Sequence, residues 1–309
     1  MLPLERFNRD LTRLLSPGGR IGIAVSGGPD SLALLLLAAA ARPGEIEAAT
    51  VDHGLRHDSA DEARFVARVC AERTIPHAVL PVRVEPGASL QARAREVRYA
   101  ALAKWAHERR LAAILTAHHA DDQAETLLLR LARGAGLAGL SSIRACSPLA
   151  GATVLRPLLS WRKSELEAIV EAAGLIPIRD PANHDPRHDR TAARKLLERT
   201  EWLQPARLAA SAAHLAASEE ALEFAAASMF SLRAEDRPSE LLLTAADLPA
   251  ELQRRLMLLA FVKLGAPPPR GPDLDRALAV LRSNGSCTLS GLQLSGGERW
   301  RIAPAPPRR

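Results

Sequence analysis

Glycines, hydroxyls and a carboxylate follow a short apolar run near the start of the chain. The run Ile21–Val25 predicts a buried strand, and the string Ser26-Gly27-Gly28-Pro29-Asp30-Ser31 separates it from an apolar helix pattern. Glycines let backbone N–H groups approach an anion closely, and a helix N-terminus adds positive potential there. The two serine hydroxyls can donate further hydrogen bonds, and the aspartate can hold a magnesium ion. The string therefore predicts a phosphate-binding loop.

The loop matches neither of two common nucleotide-binding patterns. It lacks the Gly-Lys-Ser/Thr of the Walker motif and the spaced glycines of dinucleotide-binding folds. A glycine pair can also serve only to turn the chain, and serine and aspartate can serve only to cap a helix. The complete six-residue string nevertheless resembles the pyrophosphate loop of the ATP pyrophosphatases, which split ATP between its α- and β-phosphates. By itself the loop does not indicate which substrate is adenylated.

Two histidines and three carboxylates occupy a second predicted junction between a strand and a helix. His118 and His119 end the strand, and Asp121, Asp122 and Glu125 open the helix. Residues three and four apart lie on one helix face, so either aspartate can share a face with the glutamate. Acidic residues in a first turn also suit the helix dipole, but the dipole alone does not account for three of them. Carboxylates beside a phosphate loop favour magnesium over zinc, and we expect His119 to be a structural hydrogen-bonding residue.

Four other residues can contact a nucleotide or an RNA. Asp52 ends the second strand, where it can meet a ribose or adenine or simply cap its own turn. Judged from spacing alone, Arg98 is typical of a charge on a helix surface. Arg190 and Arg194 lie four residues apart on one helix face, where they can bind phosphates or form a solvated basic surface.

Strand-like runs alternate with helical patterns through the first half of the chain. Connections of ten or more helical residues require parallel strands, which helices then cover on both faces. We therefore predict an α/β fold with a Rossmann-like parallel sheet. Ligands bind at the carboxyl edge of such a sheet, where Ser26, Asp52 and His118 fall. The predicted strands are Arg20–Val25, Ile46–Val51, His77–Val84, Ala112–Thr116 and Thr153–Pro157, and the helices between them are Ser31–Ala41, Ser59–Arg73, Ser89–Arg110 and Asp121–Arg133.

The pattern becomes helical after Pro157, and a polar loop at 180–186 separates two of the helices. Pro205 is the predicted boundary between a catalytic domain at 1–205 and a smaller, mainly helical domain at 206–309. The second domain is predicted to end in a small hairpin and a disordered proline-rich tail.

Composition narrows the classes of protein. The 309 residues suit two domains, and a hydrophobic content of 47% supports real cores. The longest apolar stretch, Leu32–Ala41, is about half of a membrane span, and the first residues lack the layout of a signal peptide, so we predict a cytoplasmic protein with no membrane contact. Cys70, Cys146 and Cys287 are isolated, which argues against disulfides and zinc. The net charge of +6 is compatible with RNA binding.

Taken together, these motifs resemble the tRNA(Ile)-lysidine synthetases. The resemblance runs in the family's order over about residues 20–195, and the block His118–Thr126 makes it specific, since the glycine loop alone identifies only the superfamily. The matching strings are Ser26–Ser31, Val51–Arg56, Ala94–Arg95 with Arg98–Tyr99, His118–Thr126 through Arg133–Gly136, Arg156–Leu159, and Asp180–Asn183 through Arg190.

The resemblance implies an adenine nucleotide alpha hydrolase-like fold and an ATP-dependent ligase that forms a carbon–nitrogen bond. The C2 oxygen of the wobble cytidine in tRNA(Ile) with a CAU anticodon would be adenylated, and the ε-amine of free L-lysine would then expel AMP. The codon read would change from AUG to AUA, and the tRNA identity from methionine to isoleucine. ATP and Mg²⁺ are the implied cofactors, and the C-terminal domain is implied to bind tRNA. The sequence does not decide between a monomer and a homodimer.

The same resemblance assigns roles to individual residues. Asp30 and Asp122 would hold magnesium, and Asp122 and Glu125 are also placed to receive the lysine ammonium, with the base that deprotonates it left open. The implied catalytic residues are Asp30, Arg98, His118, Asp122, Glu125 and Arg190. The implied nucleotide-binding residues are Ser26, Gly27, Gly28, Pro29, Asp30, Ser31 and Asp52.

Three alternatives use the same loop. A tRNA thiolase would need reactive cysteines or an iron–sulfur cluster, and no CxxC motif is present. A non-catalytic RNA-binding protein of the same fold would have no use for three carboxylates that repel phosphate. An amide-forming ligase acting on a small molecule would split ATP without tRNA.

Overall fold

A six-stranded sheet organises the first of the two units into which the chain divides, Met1–Ala216 and Ala217–Arg309. The computed structural model describes residues 2–15, 18–54, 59–85, 87, 90–178 and 189–306. The strands of this sheet are β1 (Ile21–Ala24), β2 (Ile46–Asp52), β3 (His77–Pro81), β4 (Ala113–Leu115), β5 (Cys146–Leu149) and β6 (Ala152–Leu155). Their order across the sheet is β3-β2-β1-β4-β6-β5. All neighbours pair in parallel except β5 and β6.

Helices connect the parallel strands and cover the sheet. In the described part of the first unit they are α1 (Pro3–Thr12), α2 (Pro29–Ala41), α3 (Ser59–Ala71), α4 (Leu90–Arg109), α5 (Ala120–Ala132), the short α6 (Leu137–Leu140), α7 (Lys163–Ala172) and α8 (Asp189–Arg199). The fold class predicted from the alternating pattern, a parallel sheet with crossover helices, is confirmed. Strands β2 and β3 lie on one side of β1, and the strands from β4 onward lie on the other, so the strand order reverses between β1 and β4. Ligands bind at such a reversal, and the carboxyl ends of β1 and β4 are therefore the expected ligand site.

Successive residues of the strands face two separate apolar cores. Ala113 and Leu115 belong to the core that contains α1, α2, α3 and α7, whereas Ile114 belongs to the core under α4. This alternation follows from the two-residue period of a strand. Helix α2 is apolar on all sides because it contacts the sheet as well as α1 and α7.

Strand β5 is not predicted by the alternating pattern. It lies at the edge of the sheet, is half exposed and contains a proline, so it lacks the apolar run of a buried strand. A tight turn at Ala150 and Gly151, with φ of 43° and 84°, returns the chain into β6. Two successive positive φ values are typical of the hairpin turn that matches strand twist. The predicted polar loop at 180–186 and residues Leu55–Arg56 of the second motif lie outside the described residues.

The second unit contains a five-stranded antiparallel sheet beside helices. Helix α9 (Pro205–Arg233) starts at the proline predicted as the domain boundary, but the division falls within it, after Ala216. The described elements that follow are β7 (Ala234–Arg237), β8 (Glu240–Leu243), α10 (Ala250–Lys263), α11 (Gly271–Arg282), β9 (Ser286–Leu289), β10 (Leu292–Ser295) and β11 (Trp300–Pro304). The sequence indicated the helices and a terminal hairpin, and the structure extends that hairpin into the order β7-β8-β11-β10-β9.

The core of the second unit is its own. Trp300, Phe261 and Met257 are fully buried there. The last three residues of the chain lie outside the described part. Throughout the described residues, no helix has the length and apolar character that crossing a bilayer requires.

The close contact between β1 and α4 gives a test of the packing. Gly22→Ala is expected to lower the free energy of unfolding by about 1–3 kcal/mol, since overpacking a dense core forces its neighbours to move. A Cβ atom at this position would lie 2.6 Å from Cζ3 of Trp105 and 2.8 Å from Cδ1 of Leu111. Gly136→Ala is the control, because that glycine has φ −75° and a Cβ atom there would meet no atom within 4 Å. Urea unfolding followed by circular dichroism measures both, and equal losses would contradict the close approach.

Candidate active site

The glycine loop between β1 and α2 is held in shape by its own hydroxyl groups. The backbone N–H of Ser26 donates to Oγ of Ser31 over 3.1 Å, and that hydroxyl donates to the carbonyl of Gly28 over 3.0 Å. The two serine Oγ atoms lie 3.3 Å apart. Gly28 is the N-cap of α2, and Pro29 is its first residue, a position that suits the fixed φ of proline. The loop therefore presents the N-terminus of a buried helix, as an anion site requires.

Gly27 cannot be replaced without strain. Its φ is +83°, and a Cβ atom there would lie 2.6 Å from Cδ1 of Ile178. The backbone N–H of Ile178 donates to the carbonyl of Gly27 over 2.9 Å. The turn thus needs glycine both for its backbone conformation and for the close approach of a second segment.

His119 joins this loop to the start of α5. It is the N-cap of α5: its Nδ1 accepts from the N–H of Asp122 over 3.4 Å, and its own N–H donates to Oδ2 of Asp122 over 3.1 Å. Its Nε2 lies 3.5 Å from Oδ2 of Asp30. Burial acts to lower the pKa of His119, but the hydrogen bond with Asp30 and the nearby carboxylates outweigh it and raise the pKa. The geometry matches the structural role expected of this histidine.

The two neighbouring aspartates have different partners. Asp121 accepts from the guanidinium of Arg162 at 3.1 Å and from the backbone N–H of Lys163 at 2.9 Å. Burial acts to raise the pKa of Asp121, but these hydrogen bonds outweigh it and lower the pKa. Asp121 therefore anchors the start of α7, although its Oδ2 also lies 3.7 Å from Nδ1 of His119. Asp122 has no arginine partner in the described residues and lies beside His119. Spacing alone left both aspartates as candidates, and the resemblance named only Asp122, which stays a prediction.

The carboxylates of Asp30 and Asp122 form a donor set that suits magnesium. Oδ2 of Asp30 and Oδ2 of Asp122 both lie within 3.6 Å of Nε2 of His119. The other oxygen of Asp30, Oδ1, is buried and has no hydrogen-bond partner, as a cation ligand would. In the described residues, no three or more His, Cys, Asp or Glu side chains gather into a metal site. Magnesium is commonly held by one or two carboxylates together with substrate phosphates, so the pair fits it beside a phosphate loop.

Glu125 is buried one turn further along α5. Its Oε1 accepts from Nε of Arg194 over 2.8 Å, while its Oε2 is buried without a hydrogen-bond partner. Burial raises the pKa of Glu125, and the charge of Asp122 acts in the same direction, although Arg194 opposes both. Arg194 therefore pairs with a carboxylate. The sequence offered two roles for Arg190 and Arg194, phosphate binding or a solvated basic surface, and neither includes this pairing.

His118 stands at the carboxyl end of β4, where its Nδ1 lies 3.0 Å from Oγ1 of Thr116. Burial lowers the pKa of His118 to about 3, and four arginine charges add to the effect. The imidazole is consequently neutral at pH 7. The arginines that act on it are Arg156, Arg95, Arg190 and Arg98.

These four residues, the arginine cluster, have no carboxylate partner in the described part of the chain. Burial lowers the pKa of Arg98, and the charges of Arg95 and Arg190 add to that effect although Tyr99 opposes it. Cations without a counter-charge at one edge of a sheet produce a strong positive potential and attract a polyanion. The sequence motifs assign roles to Arg98 and Arg190, whereas Arg95 and Arg156 occur in the matching strings without a role. Arg95 lies three residues before Arg98 on α4, a spacing that could have revealed it.

Asp52 caps the turn that follows β2. Its Oδ1 accepts from the N–H of Gly54 over 2.9 Å, and Gly54 has φ +59°. This is the structural alternative that the sequence left open, and a contact with a ribose or adenine stays a prediction.

The cysteines are placed poorly for shared chemistry. Cys70 is buried in a core, and burial raises its pKa to about 11. Cys146 is exposed on the edge strand β5, and Cys287 lies in the other unit. A thiol with a raised pKa is a poor nucleophile, which argues against a role of Cys70 in sulfur transfer.

The sheet order, the glycine loop and the paired carboxylates define the class of protein. The family described as PP-loop domain matches residues 3–200, and the chain therefore contains a PP-loop domain, which uses ATP. A tRNA(Ile)-lysidine synthase from Novosphingobium aromaticivorans is 48% identical over 99% of this chain and 94% of that protein. One from Zymomonas mobilis is 43% identical over 100% of this chain and 96% of that protein. The chain belongs to the tRNA(Ile)-lysidine synthase family.

A solved structure shows that the fold is shared more widely. The U34-tRNA thiolase NcsA from Methanococcus maripaludis, with its [4Fe-4S] cluster, aligns with a TM-score of 0.56. The alignment covers 68% of this chain and 76% of that chain at 16% identity. At that identity the likeness concerns the fold alone.

The pairing of Glu125 gives a test that separates two arginines of α8. Arg194→Met is expected to lower the free energy of unfolding by about 1–3 kcal/mol, because it leaves a buried carboxylate without its cation. Arg190→Met is the matched control, since Arg190 is exposed and should change stability by less than about 0.5 kcal/mol. Urea unfolding measures both. An unchanged stability in Arg194→Met would show that the ion pair contributes nothing.

Proposed function

We propose that this protein is an ATP-dependent ligase that joins free L-lysine to the wobble cytidine of tRNA(Ile) with a CAU anticodon. The observation that carries the proposal is one site with two kinds of charge. The carboxylates of Asp30, Asp122 and Glu125 lie near the arginine cluster around His118, since the charge of Arg190 acts on both Glu125 and His118. A cationic amine and a polyanionic RNA can therefore meet beside a phosphate loop.

In the first proposed step the cytidine O2 attacks the α-phosphorus of ATP and pyrophosphate leaves. The N–H groups of Gly27 and Gly28 and the hydroxyl of Ser26 would hold the phosphates, and Ser31 would contribute by holding the loop in shape. Asp30 and Asp122 would hold magnesium, which supplies neutralisation of phosphate charge when it is bound. Phosphoryl transfer needs little covalent work from the protein, so positioning and charge neutralisation carry most of the rate.

In the second proposed step the lysine ε-amine attacks C2 of the activated cytidine, and AMP leaves with the former O2. The incoming ammonium must first lose a proton. Glu125 is the proposed base, since burial raises the pKa of its carboxyl and its Oε2 has no hydrogen-bond partner. Arg98 and Arg190 would stabilise the departing phosphate, and neutral His118 can hydrogen-bond to the cytidine without adding a charge.

Two further parts of the proposal concern the whole chain. Residues 206–309 are proposed to bind tRNA, and the cytoplasm is the proposed location because tRNA, ATP and free lysine all occur there. Asp52 is proposed to contact the adenosine of ATP. A monomer and a homodimer are both compatible with these roles.

Lysine transfer tests the proposal directly. The protein is incubated with ATP, Mg²⁺, radiolabelled lysine and a tRNA(Ile) transcript with a CAU anticodon. We expect label in the RNA at the wobble nucleotide, and none in a transcript that carries uridine at that position. Absence of label from both transcripts overturns the proposal, and pyrophosphate release without any tRNA would favour a small-molecule ligase.

The roles of the two aspartates are tested in the adenylation step alone. Asp30→Ala and Asp122→Ala are each expected to reduce tRNA-dependent pyrophosphate release about 100-fold or more, since each removes a proposed ligand of the magnesium ion that neutralises the reacting phosphates. Glu171→Gln, on the exposed face of α7, is the control and should retain wild-type release. Near-normal release by either aspartate variant would refute its role with magnesium.

A further inference from the structure

A cavity of about 600 Å³ lies between α4 and the β5–β6 hairpin. Its walls include Tyr99 and Ala100 from α4 and Leu149 from the hairpin. Three charged residues also line it, the cations Arg95 and Arg156 and the carboxylate Glu96. None of the roles proposed above uses the cavity itself. Two guanidinium groups against one carboxylate give the lining a net positive charge beside its apolar surface, which suits an anionic organic molecule.

Arg156 is the unusual member of this lining. Only 6% of it is exposed, although it carries a full charge. Its Nη1 donates to the carbonyl of Arg144 over 2.7 Å and to Oγ of Ser147 over 2.9 Å, while its Nε is buried without a partner. No carboxylate pairs with it in the part of the chain that the structure describes. A buried cation without a counter-charge is costly unless a ligand supplies the anion.

The position of the cavity indicates which substrate fits it. In the sheet, β6 and β5 lie beyond β4, whereas β2 with Asp52 lies on the other side of β1. The phosphate loop follows β1, and His118 follows β4. A molecule in the cavity would therefore approach the phosphates from the side opposite to the proposed adenosine contact at Asp52.

We propose that this cavity holds the reacting nucleotide of the RNA, with its base beside Tyr99 and its phosphate on Arg95 and Arg156. The inference rests on the proposed function and names the place of its RNA substrate. Tyr99 is itself held by Arg95, whose guanidinium carbon lies 4.8 Å from the ring centroid. An unpaired base is commonly recognised by aromatic side chains and guanidinium planes of this kind.

Free lysine is the competing occupant, because its carboxylate could also meet the arginines. Its two ammonium groups would then lie beside the positive charges of Arg95 and Arg156, which is unfavourable. Glu96 could pair with one of these ammonium groups, but the other would still lie beside the guanidinium groups. A nucleotide brings only negative charge, which two cations of the lining attract and one carboxylate opposes.

Filling the cavity provides the first test. Ala100→Trp is expected to raise the KM for the tRNA transcript about tenfold or more and to leave the KM for ATP and for lysine within about twofold. Lys104→Trp is the control, since it adds the same side chain at an exposed position one turn further along α4, outside the cavity lining. An unchanged KM for tRNA overturns the inference, and a raised KM for lysine instead assigns the cavity to lysine.

Removing charge provides the second test. Arg95→Gln should raise the KM for tRNA about tenfold, the size expected for one lost charge-assisted hydrogen bond, and Lys104→Gln should not. Arg95 is exposed, so its loss does not threaten folding. Equal effects of the two variants would indicate only general attraction of RNA and overturn the specific site.

A photo-crosslink tests contact without requiring lysine transfer. An anticodon stem-loop RNA with 5-iodocytidine at the wobble position is irradiated with the full chain, and the crosslinked peptide is identified by mass spectrometry. We expect the peptide that contains Tyr99, the single tyrosine of the chain, and loss of the crosslink in Tyr99→Leu. A crosslink elsewhere overturns the inference. If this crosslink forms but wild-type protein transfers no lysine, the cavity assignment stands and the proposed function fails.

Discussion

The contacts of His119 with Asp30 and Asp122 hold the two halves of the site together. One half is the glycine loop at the start of α2, and the other is the acidic start of α5. Because His119 caps α5 with one ring nitrogen and reaches Asp30 with the other, both helix N-termini are fixed at the same edge of the sheet. The placement of phosphates and of a cation between them depends on this arrangement.

Some charged side chains at this edge of the sheet pair with a group of opposite charge, and others do not. Asp121 and Glu125 each have an arginine partner, so their carboxylates are held in place. The arginine cluster around His118 has no such partner in the described residues. Cations without a partner attract anions, which is the basis of the proposed contact with RNA.

Local patterns predicted much of the site. The glycine loop and the block from His118 to Glu125 each follow a strand, and parallel strands bring such ends to one edge. Other features depend on contacts between distant segments and leave no local pattern. Examples are the pairing of Glu125 with Arg194, sixty-nine residues away, and the burial of Arg156 against the backbone of Arg144. The edge strand β5 escaped prediction because a half-exposed strand with a proline lacks an apolar run.

The sequence by itself determined the class of chemistry, since residue types and spacing within one loop and one helix turn already specify a phosphate site and an acidic site. It also determined the parallel sheet, because long crossovers permit no other pairing. Only the tertiary structure decided which carboxylates and which arginines are available. A charged side chain is available to a ligand when no group of opposite charge elsewhere in the fold pairs with it. Burial makes the lack of such a partner energetically costly.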